Sequence, residues 1–101
     1  MQVNVPEQKF IIEHYGNENQ FGIHMEECAE LIQAISKYKR YGTPESRDSV
    51  VEEIADVIIC IEQLKEILSI TDDHIELIVK SKVARQNERM FKEKENGLPF
   101  G

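Results

Sequence analysis

The stretch from Tyr41 to Ser46, with the sequence YGTPES, is the clearest break in the chain and constrains its fold most. Gly42 can end one helix in a left-handed conformation, while Thr43 can cap and Pro44 can start the next. Apolar residues recur at three- and four-residue spacing on both sides of this break, which is typical of amphipathic helices. Because so short a loop makes its flanking helices antiparallel neighbours, the sequence predicts a central helical hairpin.

The rest of the chain is also expected to be helical, because no strand-like alternation, repeat or low-complexity tract occurs in it. The sequence predicts an all-α fold of four helices, at about residues 5–15, 17–41, 44–68 and 71–96. Pro6 suits the first turn of the first helix, residues 17–20 form a capping pattern for the second, and Thr71 can cap the fourth. Phe100, in the final LPFG, is expected to be frayed or docked on a neighbour.

The second helix is expected to pack one apolar face inward. This face consists of five residues at three- and four-residue spacing: Phe21, Met25, Cys28, Ile32 and Ile35. The third helix is apolar around much of its circumference, as expected of a central helix. Cys28 and Cys60 both lie in such apolar patterns, without a CxxC or His-rich context. We therefore expect two buried thiols and neither a disulfide nor a zinc site.

Length and charge narrow the classes of function. A chain of 101 residues is expected to form one domain, residues 1–101, which buries about two-thirds or less of its unfolded surface, so a deep site is expected to need a second subunit. The formal charge of −7, without a basic stripe, argues against nucleic acid as the main partner. Divalent cations would still allow such a chain to bind a polyphosphate. Without a membrane-length apolar run or a leader pattern, we expect no membrane partner and a cytoplasmic location.

Two acidic pairs interrupt the helices on either side of the break. Glu27 and Glu30 stand three residues apart in the second helix, as do Glu53 and Asp56 in the third, so each pair shares one side of its helix. Glu53 falls within the apolar stripe of the third helix and Asp56 on its flank, where uncompensated charges would be destabilising. Because the two helices are antiparallel neighbours, both pairs can face one cleft and bring four carboxylates together.

Several arrangements would neutralise such a cluster: basic partners, protonation or hard divalent cations. An all-oxygen set without adjacent His or Cys ligands favours magnesium or manganese over zinc. A weaker interpretation also stands, because 19 acidic residues in 101 make an acidic pair three residues apart common by chance. The apolar surroundings of the second pair argue against chance.

The fourth helix carries a basic row, formed by Lys82, Arg85 and Arg89 at three- and four-residue steps. The simplest interpretation is a solvated polar face on which these cations pair with Glu88 and Glu93. If the row faced a carboxylate cleft, it would instead form a phosphate clamp. An acidic cleft, divalent cations and a basic row together suit a polyphosphate ligand.

The segments EECAEL and EEIADVI resemble the ExxE...ExxD signature of the MazG-like all-α nucleoside triphosphate pyrophosphohydrolases, and the resemblance spans roughly residues 15–90. It implies a four-helix MazG-like bundle whose active site is completed by oligomerisation, as a homodimer or homotetramer. It further implies that both acidic pairs bind Mg²⁺, with Mn²⁺ as a substitute, and that (deoxy)nucleoside triphosphates are hydrolysed to the monophosphate and pyrophosphate in nucleotide-pool housecleaning. Because dUTPases, dCTP pyrophosphatases and phosphoribosyl-ATP pyrophosphatases share the superfamily, the signature identifies the chemistry better than the substrate.

The resemblance also implies roles for individual residues. Glu27 is the first choice for orienting or deprotonating the attacking water, and the basic row would stabilise developing charge. SKVARQNERM departs from the Lys...Asn patterns of the dUTPase and dCTPase branches, so Asn87 is an uncertain base or ribose contact. HYGNENQF resembles the stretch ahead of the first acidic pair, which makes Tyr15 and Gln20 nucleoside contacts. Lys37 either reaches phosphate or complements the negative end of its helix.

Two other classes of protein remain as alternatives. One is a catalytically silent helical oligomerisation or regulatory module that keeps the bundle. The other is a di-iron or manganese carboxylate protein, which the ligand types disfavour because no Glu is followed three residues later by a His. His24, one turn before Glu27, is accordingly expected to have a structural role.

Overall fold

A computed structural model describes residues 4–97, and every regular element in this part of the chain is an α-helix. The helices follow in the order α1 (Lys9–Tyr15), α2 (Asn17–Tyr41), α3 (Pro44–Leu68) and α4 (Asp72–Glu95). The all-α prediction is confirmed, and α3 has the predicted bounds. The chain divides after Ser69 into two compact units, the first containing α1, α2 and α3 and the second containing α4.

The turn between α2 and α3 forms as the sequence predicts. Gly42 has a φ of 60°, in the left-handed region that favours glycine, and its N–H donates to the Tyr38 carbonyl at 2.8 Å. Thr43 and Ser46 then form a reciprocal cap: the Ser46 N–H donates to Thr43 Oγ1 at 3.1 Å, and the Thr43 N–H donates to Ser46 Oγ at 3.0 Å. The helix starts with Pro44, whose missing N–H costs nothing in the first turn.

The start of α1 differs from the prediction. The helix begins at Lys9, because Gln8 occupies the N-cap position and its side-chain Nε2 donates to the Pro6 carbonyl at 2.8 Å. Pro6 therefore lies before the helix and not in its first turn.

The bounds of α2 are as predicted, but its cap differs. Its N-cap is Gly16, which has a φ of 82°, and no side chain caps the helix. The predicted capping pattern over residues 17–20 is therefore wrong, because Asn17 is already helical. Asn19 instead donates from Nδ2 to the Tyr15 carbonyl at 2.8 Å, which ties the end of α1 to the first turn of α2.

The face of α2 that packs against α1 and α3 is not the predicted one. The buried residues of this unit are Ile12 on α1, three residues of α2 and two of α3: Gln20, His24, Ala34, Cys60 and Gln63. On the predicted face, Met25 is 74% exposed, Ile32 68% and Ile35 51%. The prediction that this face packs inward is wrong: the inward face lies one residue, or about 100°, around the helix. Burial of Cys60 is confirmed, whereas Cys28 is exposed.

The second unit is a single long helix. Thr71 caps α4 as predicted, because its Oγ1 accepts from the His74 N–H at 3.2 Å. All residues of α4 are exposed except Ile75 and Glu93, which are half-buried. No helix within residues 4–97 combines the length and the apolar character needed to cross a bilayer. The prediction for Phe100 falls outside the described residues.

Candidate metal centre

Carboxylates from α2 and α3 meet where the two helices pack together. Glu27, Glu30 and Glu53 each place one carboxylate oxygen within 4.8 Å of the other two. Asp56 lies outside this group of three but within hydrogen-bonding reach of Glu27 when one of the two carboxyls is protonated, and Glu30 stands in the same relation to Glu53. We call these four residues the acidic cluster.

The packing of two antiparallel helices explains why both pairs converge. Glu30 on α2 meets Glu53 on α3. Glu27, three residues before Glu30, meets Asp56, three residues after Glu53. A three-residue step is close to one helical turn, so both residues of a pair project from the same side of their helix. The Thr43 cap and the left-handed Gly42 fix the turn from which this register is counted.

Two oxygens of the cluster are left without a donor. Glu27 Oε2 and Glu53 Oε2 are buried, and neither has a hydrogen-bond partner among the described residues. Their neighbours are other carboxylates, which accept but do not donate when they are ionised. Within residues 4–69, the ion pairs join Arg47 to Asp48 and Lys65 to Glu62, so none of them neutralises the cluster.

Burial and mutual repulsion perturb two of these carboxyls. The pKa of Glu27 is raised above its ordinary value of 4.5 by burial and then by the charges of Glu30, Asp56 and Glu53. Burial also raises the pKa of Glu53, followed by the charges of Glu30 and Asp56. In both cases burial and the neighbouring negative charges disfavour the charged form. A bound cation would offset those charges.

The donor set fits a hard divalent cation. It consists of carboxylate oxygens alone, and two of these oxygens have no hydrogen-bond partner among the described residues. The nearby Cys60 does not change this composition, because burial and the charge of Glu27 raise the pKa of its thiol to about 11 and keep it protonated at neutral pH. Oxygen-only ligands suit Mg²⁺ or Mn²⁺.

The basic row lies on α4, which belongs to the second unit. Lys82, Arg85 and Arg89 are exposed, and within residues 70–97 none of them forms an ion pair, whereas Lys92 pairs with Glu88 at 4.0 Å. The expected pairing of Arg85 and Arg89 with acidic neighbours is therefore not formed there. A surface depression on this helix is lined by six polar residues: Arg85, Glu88, Arg89, Lys92, Glu93 and Asn96.

The other predicted substrate contacts lie at a distance from the cluster or on α4. Gln20 is buried, 2% exposed, and precedes Glu27 by seven residues, about 10.5 Å along the helix axis. Lys37 follows Glu30 by the same interval and is exposed, on the side of α2 that carries Gln33, Ser36 and Arg40. Tyr15, at the end of α1, is 53% exposed. Asn87 is exposed on α4.

Sequence reasoning missed a chain of two hydrogen bonds beyond the cluster, one of them buried and the other half-buried. His24 Nε2 lies 2.7 Å from Gln63 Oε1, and Gln63 Nε2 donates to Gln8 Oε1 at 2.9 Å. A signal for it exists: His24 precedes Glu27 by one turn, and Gln63 follows Asp56 by two turns on the same side of α3.

Comparisons with protein-family models, curated proteins and solved structures gave no match for this chain. The resemblance of EECAEL and EEIADVI to the MazG-like signature therefore remains a hypothesis. The geometry of the acidic cluster is the observation on which a functional assignment has to rest.

Proposed function

We propose that this protein is a magnesium-dependent pyrophosphohydrolase of the MazG-like class, which hydrolyses (deoxy)nucleoside triphosphates to the monophosphate and pyrophosphate in nucleotide-pool housecleaning. The observation that carries the proposal is the meeting of Glu27, Glu30 and Glu53 within 4.8 Å, with unpartnered oxygens on Glu27 and Glu53. The resemblance of the two acidic segments to the family signature supports the same conclusion.

In this proposal the residues of the acidic cluster bind the metal, and one of them also accepts a proton. The four carboxylates would hold Mg²⁺, which would supply positive charge for the phosphates and Lewis acidity toward a water molecule. Glu30, Glu53 and Asp56 hold the metal. Glu27 would hold it too and is our candidate for accepting the proton of the attacking water, because its buried Oε2 has no hydrogen-bond partner among the described residues.

Residues outside the cluster provide the substrate contacts. Lys82, Arg85 and Arg89 are proposed to bind phosphate oxygens, and the absence of ion-pair partners for them within residues 70–97 leaves their donors available on that helix. Asn87 and Gln20 are proposed as nucleoside contacts, and Lys37 is proposed as a phosphate contact from the end of α2.

We also propose that a homodimer or homotetramer completes the site. Met25, Ile32 and Ile35 expose an apolar face on α2, about 100° around the helix from the face that packs against α1 and α3. Apolar surface of this kind is typical of an interface between subunits.

Release of pyrophosphate from a panel of nucleoside and deoxynucleoside triphosphates, with and without Mg²⁺, tests the proposal. We expect a magnesium-dependent reaction and identification of the monophosphate as the second product. Glu53→Gln should reduce the rate at least about 100-fold, since even indirect supports of a metal ligand are worth up to that factor. The matched control is Glu52→Gln, at the exposed neighbouring position, which should keep the wild-type rate. A panel without any magnesium-dependent pyrophosphate release would contradict the proposal.

The same panel separates the related activities. A strong preference for dUTP, dCTP or phosphoribosyl-ATP would assign the chain to one of those branches of the superfamily, with the chemistry unchanged. A broad or aberrant-nucleotide preference would support housecleaning.

A catalytically silent oligomerisation or regulatory module is the second candidate, and the exposed apolar face of α2 favours it as well. This candidate predicts that Glu53→Gln changes no activity and makes the fold more stable, because one member of a repelling cluster is removed. Measuring the activity of the same variant therefore distinguishes the two, because only the pyrophosphohydrolase loses activity.

A further inference from the structure

A continuous chain of hydrogen bonds runs from the segment before α1 to the middle of the helical unit. Gln8 Nε2 donates to the Pro6 carbonyl at 2.8 Å, and Gln8 Oε1 accepts from Gln63 Nε2 at 2.9 Å. Gln63 Oε1 then lies 2.7 Å from His24 Nε2. We call the three side chains Gln8, Gln63 and His24 the polar relay. It connects all three helices of the first unit.

The direction of these bonds fixes a proton on Nε2 of His24. Because the amide nitrogen of Gln63 is committed to Gln8, its oxygen faces the imidazole and has to accept a proton from Nε2. His24 therefore carries a proton on Nε2, and its buried Nδ1 has no partner among the described residues. With His24 only 3% exposed and Gln63 6%, solvent does not offer either group an alternative partner.

The relay lies directly beyond the acidic cluster along the interface between α2 and α3. His24 is one turn before Glu27 on α2, and Gln63 is two turns after Asp56 on α3. The buried thiol of Cys60 lies on α3 between Asp56 and Gln63. The polar relay and the acidic cluster therefore both depend on the same register of α2 against α3.

The cluster cannot hold this register by itself. Its four carboxylates repel one another, and a slip of α3 along α2 would relieve that repulsion. Apolar contacts between the helices are not directional and resist such a slip weakly. The relay resists it strongly, because any slip would leave His24 and Gln63 buried without partners.

We propose that His24 is a positioning residue, which through Gln63 and Gln8 holds α2 and α3 in the register that brings the acidic cluster together for cation binding. This inference rests on the proposed function, because it assigns the relay to a metal centre. It gives the N-terminal segment and α1 a role in cation affinity although neither supplies a ligand.

Cation binding by His24 variants tests the proposal, with the dissociation constant for Mn²⁺ measured by titration calorimetry at a temperature where circular dichroism shows full helicity. His24→Leu removes the bond and should weaken Mn²⁺ binding about tenfold, within the range that indirect coupling reaches. His24→Gln can still donate to Gln63 and should stay within about twofold of the wild type. His14→Leu, at an exposed position at the end of α1, is the matched control and should bind like the wild type.

Gln8→Leu is the second variant; it removes both bonds of Gln8 and leaves the bond between His24 and Gln63 in place. It should weaken Mn²⁺ binding less than His24→Leu, and it decides the matter if His24→Leu does not fold. Nitrogen NMR of the wild-type imidazoles should show a proton on Nε2 of His24. A folded His24→Leu or Gln8→Leu that binds Mn²⁺ as tightly as the wild type would overturn the proposal, as would an unprotonated Nε2 on His24. Failure of the wild type itself to bind Mn²⁺ would instead refute the metal centre.

Discussion

Replacing Ile32 with Gln should weaken self-association of the chain. Ile32 lies on α2 and is 68% exposed in the single chain. Full burial of an isoleucine side chain is worth about 1.5–3 kcal/mol, so covering the exposed two-thirds contributes about 1–2 kcal/mol per copy. A twofold interface uses the side chain twice, which gives about 2–4 kcal/mol and a dissociation constant about 30 to 1,000 times larger in the variant.

Sedimentation velocity over a series of concentrations measures this change directly. Ile32→Leu retains the apolar area and is the matched control, which should associate within a few-fold of the wild type. Circular dichroism should show the same helicity in all three proteins, since both Gln and Leu are good helix formers. The reasoning would be refuted if Ile32→Gln dissociated at the same concentration as the wild type. A wild type that stays monomeric throughout would refute the homo-oligomer itself.

Three further predictions concern the first unit. Because the pKa values of Glu27 and Glu53 are raised above 4.5 in the fold, these groups stabilise it fully below that pH and lose their contribution as the pH rises through the raised values. We therefore compare the free energy of unfolding of the wild type with that of the Glu27→Gln/Glu53→Gln double variant, by urea titration without divalent cation at several pH values. The double variant should gain stability over the wild type as the pH rises towards neutral. A difference that does not change with pH would contradict the raised pKa values. Thr43→Ala should cost about 1 kcal/mol of unfolding free energy by urea titration, whereas Thr43→Ser should cost much less, because only the serine keeps the cap. At a concentration where the chain is monomeric, a thiol reagent at pH 8 should modify exposed Cys28 rapidly and Cys60, with a pKa of about 11, only on unfolding; equal rates would contradict the burial of Cys60.

Local signals in the sequence were sufficient for the helices and for the turn that pairs two of them. Gly42, Thr43 and Pro44 predicted the end of α2 and the start of α3 correctly, because a left-handed glycine and an N-cap depend on neighbouring backbone atoms alone. The cap of α2 was predicted less well. Residues 17–20 have the composition of a cap, but Gly16 has the backbone conformation that ends α1 and starts α2 without a side-chain cap.

The inward face of α2 could not be predicted from periodicity. Met25 and Ile32 belong to the more apolar stripe, yet the stripe containing His24 and Glu27 faces α3. A periodic pattern gives the angular spacing of apolar residues but does not identify the surface that covers them, which can be a neighbouring helix or, as we propose here, a second copy. The acidic residues were placed correctly as pairs because a spacing of three residues on a helix fixes their common side.

By itself, the sequence determined that the chain is helical, where its central turn lies and which carboxylates share a side of each helix, since all three follow from interactions within a few residues. Tertiary structure decided which faces meet. It brought Glu27, Glu30 and Glu53 within 4.8 Å of one another, left an oxygen on two of them without a donor, and joined His24 to Gln63 across 39 positions of the chain. Contacts so distant in sequence depend on the register of one helix against another, and this register is set by interactions between the helices, the polar relay among them, that no local pattern records.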